Sequence, residues 1–396
     1  MELVLIWVFW ISLGLGLYVY FVYPAILAVF SSVFGRARHA VPASGDENKP
    51  VVALLIACFN EEKEIERKLL NVLDLDYPHE RLLILVLNDG SRDRTAGIAQ
   101  TIADSHPETQ ITVLDFPENR GKCATLLEGV SWIRENRLDV QILAFSDANA
   151  LWTPDALGKI VAPFSDPTVG SVSGLLKYSN PDGTPAGDME GLYWRYEAFL
   201  KRLSSRLGIL PGANGSIFAM RLDAYEPLSE TRGDDFELPV QAILKGYRSI
   251  LIEDAVSREL PSPDFLTEYR RKLRIIGTMI PSATMLFGRA LGRGRLLLAF
   301  ELLSHKLLRY LVPFYQIALL LSAGLLWNNA LFYRIAFLLQ VVFYLLAAIG
   351  FMLERAGSRP PKPLQIPLYF TMVNFASFVS IFLAAAGRPV NWERNR

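Results

Sequence analysis

The sequence predicts an α/β domain built on a parallel sheet and framed by transmembrane α-helices. Three observations support that reading. Charge is absent from Leu3 to Gly35 and sparse after Phe300, Val/Ile/Leu-rich strands alternate with helical stretches from Val51 to Phe145, and three of those strands end in polar clusters. The chain balances 40 Lys+Arg against 40 Asp+Glu, yet the charge is unevenly placed: −1 before Arg36, −5 from Arg36 to Ala299 and +6 from Phe300 onward. A hydrophobic fraction of 51% is too high for an ordinary soluble domain, although the middle of the chain has ordinary polarity. This composition excludes disordered, collagen-like and disulfide-scaffold classes, and no basic-aromatic stripe points to nucleic acid. Cys58 and Cys123 are the only cysteines, which fits reduced packing thiols in a domain facing the cytosol.

Four stretches are long enough to cross about 30 Å of hydrocarbon: within Leu3–Phe34, then Tyr310–Tyr333, Ile335–Leu353 and Leu364–Gly387. The first lacks a basic leader and is longer than a signal-peptide core, so it is read as an uncleaved anchor over residues 1–35. Arg36, Arg38 and His39 follow it, and by the positive-inside tendency they place the next domain in the cytoplasm. Residues 36–49 read as a polar linker. Ile275–Lys306 is apolar but interrupted by Arg289, Arg293, Arg295, Glu301 and Lys306, so 275–309 is expected to lie along the interface. Three transmembrane helices then occupy 310–387, and a basic tail covers 388–396. Parity puts that tail outside, whereas Arg388, Arg394 and Arg396 favour the cytoplasm.

Within the soluble part, strands are expected at Val51–Cys58, Arg81–Leu87, Gln110–Leu114 and Gln141–Phe145. Helices are expected near Glu61–Leu73, Asp93–Ser105 and Lys122–Glu135. Near-continuous apolar strands alternating with helices call for a parallel sheet covered on both faces. Ligands of such sheets bind beyond the carboxyl ends of the strands, which is where Asn60-Glu61, Asn88-Asp89-Gly90-Ser91 and Ser146-Asp147-Ala148-Asn149 fall. Neither a Gly-x-Gly-x-x-Gly fingerprint nor a Walker loop is present, which removes dehydrogenase and P-loop readings. Carboxylates at strand ends can accept hydrogen bonds from a base or ribose, or hold a divalent cation against a diphosphate. Singly, Asp89 or Asp147 could equally serve a turn or a helix start. His39, His79, His106 and His305 show no metal-ligand spacing.

These residues resemble a membrane-bound family 2 glycosyltransferase of the GT-A fold, a Rossmann-like nucleotide-diphospho-sugar transferase, in the group that includes cellulose, chitin and hyaluronan synthases. Four segments carry the likeness in order: Ala57-Cys58-Phe59-Asn60-Glu61-Glu62, Asn88-Asp89-Gly90-Ser91, Ser146-Asp147-Ala148-Asn149 and Gly233-Asp234-Asp235-Phe236-Glu237-Leu238. Gly121-Lys122 and Gly212-Ala213-Asn214-Gly215 resemble further family positions. The resemblance implies a cytoplasmic GT-A domain over 50–274 in a multi-pass protein of the cell membrane. It also implies donor binding by Ala57, Phe59, Glu61 and Asp89 around the nucleoside and by Lys122 and Asp147 at the diphosphate. Asp147, with Asn149 where the family has a second Asp, would hold Mg2+ or Mn2+. Asp235, or its neighbour Asp234, would be the catalytic base. Two adjacent side chains point in different directions, so only one can face the acceptor hydroxyl.

Processive members carry Gln-x-x-Arg-Trp on an interfacial helix, and the corresponding stretch here is Glu268-Tyr269-Arg270-Arg271-Lys272-Leu273-Arg274. Its basic half remains, so Arg271 or Arg274 is expected to contact phosphate; the other reading is a cationic face on anionic lipid. The function implied is inverting transfer from a UDP-sugar to a lipid or glycan acceptor at the bilayer, making a polysaccharide, a glycolipid or a lipid-linked intermediate. Two alternatives are a processive synthase with coupled export, which admits partner subunits, and a catalytically silent nucleotide-sugar-binding subunit.

Overall fold

The first strand, β1 (Val52–Cys58), explains the sheet: Val-Ala-Leu-Leu-Ile-Ala-Cys has no polar side chain, so it is stable only where both of its faces are covered. A computed structural model of the chain describes residues 1–36, 49–179, 191–228, 233–261, 264–358 and 360–386, with side chains from 195 onward in the 191–228 segment. Residues 37–48 of the linker, with Arg38 and His39, lie outside the described residues, as do Arg359 and the 388–396 tail.

The chain begins with α1 (Glu2–Leu17), a π-helical turn at Tyr18–Val22 and α2 (Tyr23–Phe34). The soluble part runs β1, α3 (Ile65–Leu73), β2 (Leu82–Asp89), α4 (Thr95–Ser105), β3 (Gln110–Phe116), α5 (Lys122–Asn136) and β4 (Ile142–Asp147). It continues with β5 (Leu151–Trp152), α6 (Ala156–Val161), β6 (Val169–Tyr178), α7 (Gly191–Arg206), β7 (Phe218–Arg221), α8 (Asp234–Leu244) and β8 (Arg248–Glu259). Last come α9 (Phe265–Gly292), α10 (Leu296–Glu301), a π-helical turn at Leu302–Leu307, α11 (Leu308–Tyr310), α12 (Val312–Leu325), α13 (Leu331–Arg355) and α14 (Lys362–Ala385).

Among the described residues eight strands join one sheet in the order β3-β2-β1-β4-β7-β6-β8-β5. The half formed by β3, β2, β1 and β4 is parallel, as expected. The other half is mixed, because β7 runs antiparallel to both β4 and β6, and β5 runs antiparallel to β8. This departs from a wholly parallel sheet: β7, at four residues, is too short to announce itself in the sequence. The strand period of two divides the core cleanly. Leu54 and Ile56 of β1 and Ile84 and Val86 of β2 pack with Ile65, Leu69 and Ala99 on one face. Leu55, Leu85, Leu87 and Phe145 pack with Leu126, Val130 and Leu238 on the other. The register sets Ala57 opposite Asp147 and Cys58 opposite Asn88, so the carboxyl ends of three strands lie level.

Among the described residues four helices are long and apolar enough to cross a membrane: Glu2–Phe34, Phe265–Gly292, Leu331–Arg355 and Lys362–Ala385. A fifth arises if Leu296–Tyr310 and Val312–Leu325, bent by 53°, act as one span. The bend has a covalent cause, since Pro313 has no N–H to return to the preceding turn. The boundary expected between 274 and 275 falls inside a single helix, α9, capped by the Asp264 carboxylate accepting from the Thr267 N–H at 2.8 Å. In the first span, Pro24 leaves the Tyr20 carbonyl without its usual donor four residues on. The chain answers with a π-helical turn, and the Tyr196 hydroxyl donates to that carbonyl at 3.3 Å. Buried Tyr23 donates to Glu301 Oε2 at 2.6 Å, and Ser204 donates to Glu301 Oε1 at 2.8 Å. His305 Nδ1 lies 3.4 Å from the same Glu301, while Glu197 pairs with Arg309 and with His305. These groups tie the first span and the 296–310 segment to α7 of the sheet domain.

Gly90 ends β2 with φ +67°, and a Cβ there would lie 2.5 Å from the Glu118 carbonyl carbon. Gly97 sits in α4 with open space around it. Gly90→Ala is therefore expected to lower stability by about 1 kcal/mol or more, and Gly97→Ala to raise it by roughly 0.5–1 kcal/mol. Thermal unfolding of the two variants in detergent checks the pair; equal midpoints would contradict the backbone reading.

Candidate active site

The turns after β1 and β2 are built as one unit. Asn60 adopts φ 54°, and its N–H donates to Ser91 Oγ at 2.8 Å while its Oδ1 accepts from the Arg92 N–H at 2.9 Å. The Glu61 N–H donates to Thr95 Oγ1 at 2.8 Å. Asn88 Nδ2 donates to Asp115 Oδ1 at 2.6 Å. Much of the polarity in these two motifs thus shapes backbone, leaving the half-buried Ala57, Phe59 and Glu61 side chains at the mouth of the strands.

Asp89 is 1% exposed, and its two oxygens accept from the Arg120 and Gly121 N–H groups, each at 2.9 Å. It clamps the approach to α5, where Gly121 takes φ +90°. This clamp delivers Lys122, whose Nζ lies 2.9 Å from Asp147 Oδ1 and 3.1 Å from Asp234 Oδ2. Burial opposes the Lys122 charge, but Asp147 and Asp234 outweigh it and hold the ammonium above the ordinary lysine range.

The structure separates the two acids at the start of α8. Asp234 is buried, 5% exposed, and committed to Lys122. Asp235 is half-buried, its main-chain oxygen accepting from the Ala213 N–H at 2.8 Å. Its carboxylate borders Gly215, where a Cβ would stand 3.5 Å from Asp235 Oδ2. Burial first, and the adjacent Asp234 second, push the Asp235 carboxyl up to about 6. A carboxylate of that kind is a better proton acceptor than one at its ordinary value.

Asp147 ends β4 and Asn149 follows two residues on, both partly exposed. Among the described residues, no three His, Cys, Asp or Glu side chains group as a metal site. One carboxylate and one amide oxygen still suit a hard cation that takes its remaining ligands from a diphosphate and water. Arg271 and Arg274 lie on α9. Arg271 is engaged by the Tyr178 hydroxyl at 2.5 Å and by Glu268 at 3.5 Å, rather than by the acids of the Lys122 cluster.

Sequence reasoning missed three lysines. Lys68, 0% exposed, donates to Ser146 Oγ and the Ala150 carbonyl, both at 2.7 Å, and so supports the Asp147-Ala148-Asn149 loop from below. Burial pushes it down to about 7, with Asp147 acting the other way. The signal was available: Ile65, Lys68, Leu69 and Val72 form the buried face of α3, with a lysine on an apolar stripe. Lys201 on α7 and Lys306 beyond α10 had no such signal, since only tertiary folding brings them toward Asp235.

Comparison with known proteins follows the same lines. The glycosyl transferase family 2 model matches residues 53–228, and the glycosyl transferase family group 2 model matches residues 142–358, more than half of the chain. The chain belongs to the family 2 glycosyltransferases and has a GT-A-type domain with long apolar helices. Membership implies a sugar donor and a glycan acceptor. An N-acetylglucosaminyltransferase of Rhizobium meliloti is 29% identical over 251 residues, covering 59% of this chain and 57% of that protein. The poly-beta-1,6-N-acetyl-D-glucosamine synthase of Staphylococcus aureus is 29% identical over 163 residues, covering 41% of this chain and 37% of that protein. The chain thus matches little more than half the length of the first of these relatives and little more than a third of the second. A solved mannosyltransferase, PcManGT from Pyrobaculum calidifontis, determined with GDP-Man and Mn2+, shares the fold. Its TM-score is 0.70 at 19% identity, over 98% of this chain and 99% of that one.

The raised Asp235 carboxyl makes a stability prediction. A folded-state value near 6 against about 4 when unfolded means that ionisation costs native stability, a cost absent below pH 4 and fully present above pH 6. Asp235→Asn is expected to raise stability at pH 8 by on the order of 2 kcal/mol and to leave it unchanged at pH 3.5. Thermal scans at the two pH values check this; destabilisation at pH 8 would show that the carboxylate is held by favourable contacts.

Proposed function

We propose that this protein transfers a sugar, with inversion, from a UDP-sugar to an acceptor at the membrane, with Asp235 as general base. The observation that carries the proposal is the division of labour at α8: Asp234 is paired with Lys122, while its neighbour is half-buried, raised in pKa and, among the described residues, without a bonded cation. Asp235 Oδ takes the proton of the acceptor hydroxyl as that oxygen bonds to the anomeric carbon. The bond from that carbon to the diphosphate breaks, and Lys122 faces the charge left on the departing nucleotide. Glu61, Ala57 and Phe59 border the nucleoside, and Asp89 contributes by fixing the loop that carries Lys122. Asp147 and Asn149 would hold Mg2+ or Mn2+, which when bound supplies charge neutralisation to the diphosphate; the fold relative solved with Mn2+ supports that choice. Arg271 would serve the phosphates only after release from Tyr178 and Glu268, and Arg274 lies on the same helix as the second candidate. The names of the curated relatives make N-acetylglucosamine the first sugar to test. The catalytic domain is placed in the cytoplasm, where nucleotide sugars are made, with the long apolar helices holding the enzyme in the cell membrane and presenting a polysaccharide or lipid-linked acceptor.

The test is nucleotide release by the purified chain across UDP-N-acetylglucosamine, UDP-glucose and GDP-mannose, with native lipid extract as acceptor. Asp235→Asn should keep donor binding and lose 10²–10⁴ in rate, of the order expected for a missing general base. Asp147→Ala should instead weaken metal-dependent donor binding. Full turnover by Asp235→Asn together with loss in Asp234→Asn would move the base to Asp234. For the wild type, turnover should rise with pH through about 6 as the Asp235 carboxylate forms, and a rate independent of pH from 5 to 8 would contradict its role.

A further inference from the structure

Two ammonium groups whose charge reaches Asp235 have no place in the scheme above. Lys201 of α7 donates to Asn214 Oδ1 at 2.6 Å and to the Ala213 carbonyl at 3.4 Å, in the loop whose next residue, Gly215, borders the Asp235 carboxylate. Lys306 lies in the π-helical turn before α11, with its Nζ 5.6 Å from the ring centroid of Phe236, the residue after Asp235. Among the described residues no carboxylate pairs with either ammonium: nearby Glu197 is taken by Arg309 and His305, and Glu301 by Tyr23, Ser204 and His305. Both lysines are half-buried, so their charge is only partly hydrated.

We propose that Lys201 and Lys306 form an anion subsite beside the base, which holds a phosphate carried by a membrane lipid acceptor. This rests on the glycosyltransfer reading, which it extends to the class of acceptor. The route of each residue argues for the acceptor side: Lys122 approaches Asp235 from α5 and serves the donor end, whereas Lys201 and Lys306 approach from α7 and from the segment leading into the bent apolar pair Leu296–Leu325. Burial, and next the Lys306 charge, push the Lys201 ammonium down to about 8, the mark of like charges that an incoming anion would relieve. The origin of the second lysine matters as much as its charge. It belongs to a helix that enters the apolar region, so the anion it meets lies at the level of lipid headgroups.

The full chain in phosphatidylcholine nanodiscs tests this by native mass spectrometry, with phosphatidic acid as the lipid phosphate and inorganic phosphate and UDP titrated in parallel. The wild type should retain one phosphatidic acid saturably and bind inorganic phosphate far more weakly. Lys201→Met and Lys306→Met should each weaken retention at least tenfold, with UDP affinity unchanged, and Lys306→Arg should restore it. Lys306→Gln, nearly isosteric, repeats the loss without the change in polarity and guards against misfolding, which thermal scans monitor. Equal retention by the wild type and the Met variants would overturn the proposal, as would inorganic phosphate binding as tightly as the lipid. Loss of UDP affinity in the Met variants would also overturn it, by assigning the lysines to the donor. A wild type that retains phosphatidic acid yet binds no UDP would sink the donor reading and leave the subsite standing.

Discussion

The site depends on one cation. Lys122 lies at the start of α5 and reaches both Asp147 at the end of β4 and Asp234 at the start of α8. Without it, two carboxylates from distant parts of the chain would face each other in a poorly solvated crevice, and the remaining Asp235 would be pushed further toward its neutral form. With it, Asp234 is neutralised in place and Asp235 is left half-buried beside it. Asp89 belongs to the same device, because its two hydrogen bonds to the Arg120 and Gly121 N–H groups set the direction in which α5 begins.

A second constraint joins this crevice to the apolar helices. Glu197, Glu301 and His305 are buried between α7, the first span and the 296–310 segment; Arg309 pairs with Glu197, Tyr23 and Ser204 donate to Glu301, and the His305 ring nitrogens lie 3.5 and 3.4 Å from the two carboxylates without a hydrogen bond. Removing one partner from such a set leaves an uncompensated charge, so the contacts hold the sheet domain and the helices in one arrangement. That arrangement also sets Lys306 over Phe236, one residue from Asp235, so one side of the crevice is built partly by the 296–310 segment. A catalytic domain separated from its helices would keep the Lys122 cluster and lose this wall.

Much of the parallel half of the sheet was legible in the sequence. Strands buried on both faces need uninterrupted Val, Ile and Leu, and β1, β2 and β4 have them; their polar endings marked the crevice before any coordinates. The mixed half was not legible, because β7 and β5 are four and two residues long and take their conformation from neighbours. Among the long helices, α9 read as the end of one domain and the start of an interfacial segment, since its charges fall at irregular intervals; helix geometry joins them into one 28-residue rod.

What the sequence by itself determined is local chemistry: which residues can carry a charge, where a strand must stop, and that Asp147 is followed two residues on by a neutral ligand, Asn149. Tertiary structure decided which of those groups meet. The order Asp234-Asp235 contains no hint that the first is bound to Lys122 and the second half-open beside Gly215, because the distinction comes from residues more than a hundred positions upstream and from a loop that folds across α8. Likewise Lys201 and Lys306 are separated by a hundred residues and share no motif. Their proximity to Asp235 follows from packing, where buried charge must find a partner or wait for one.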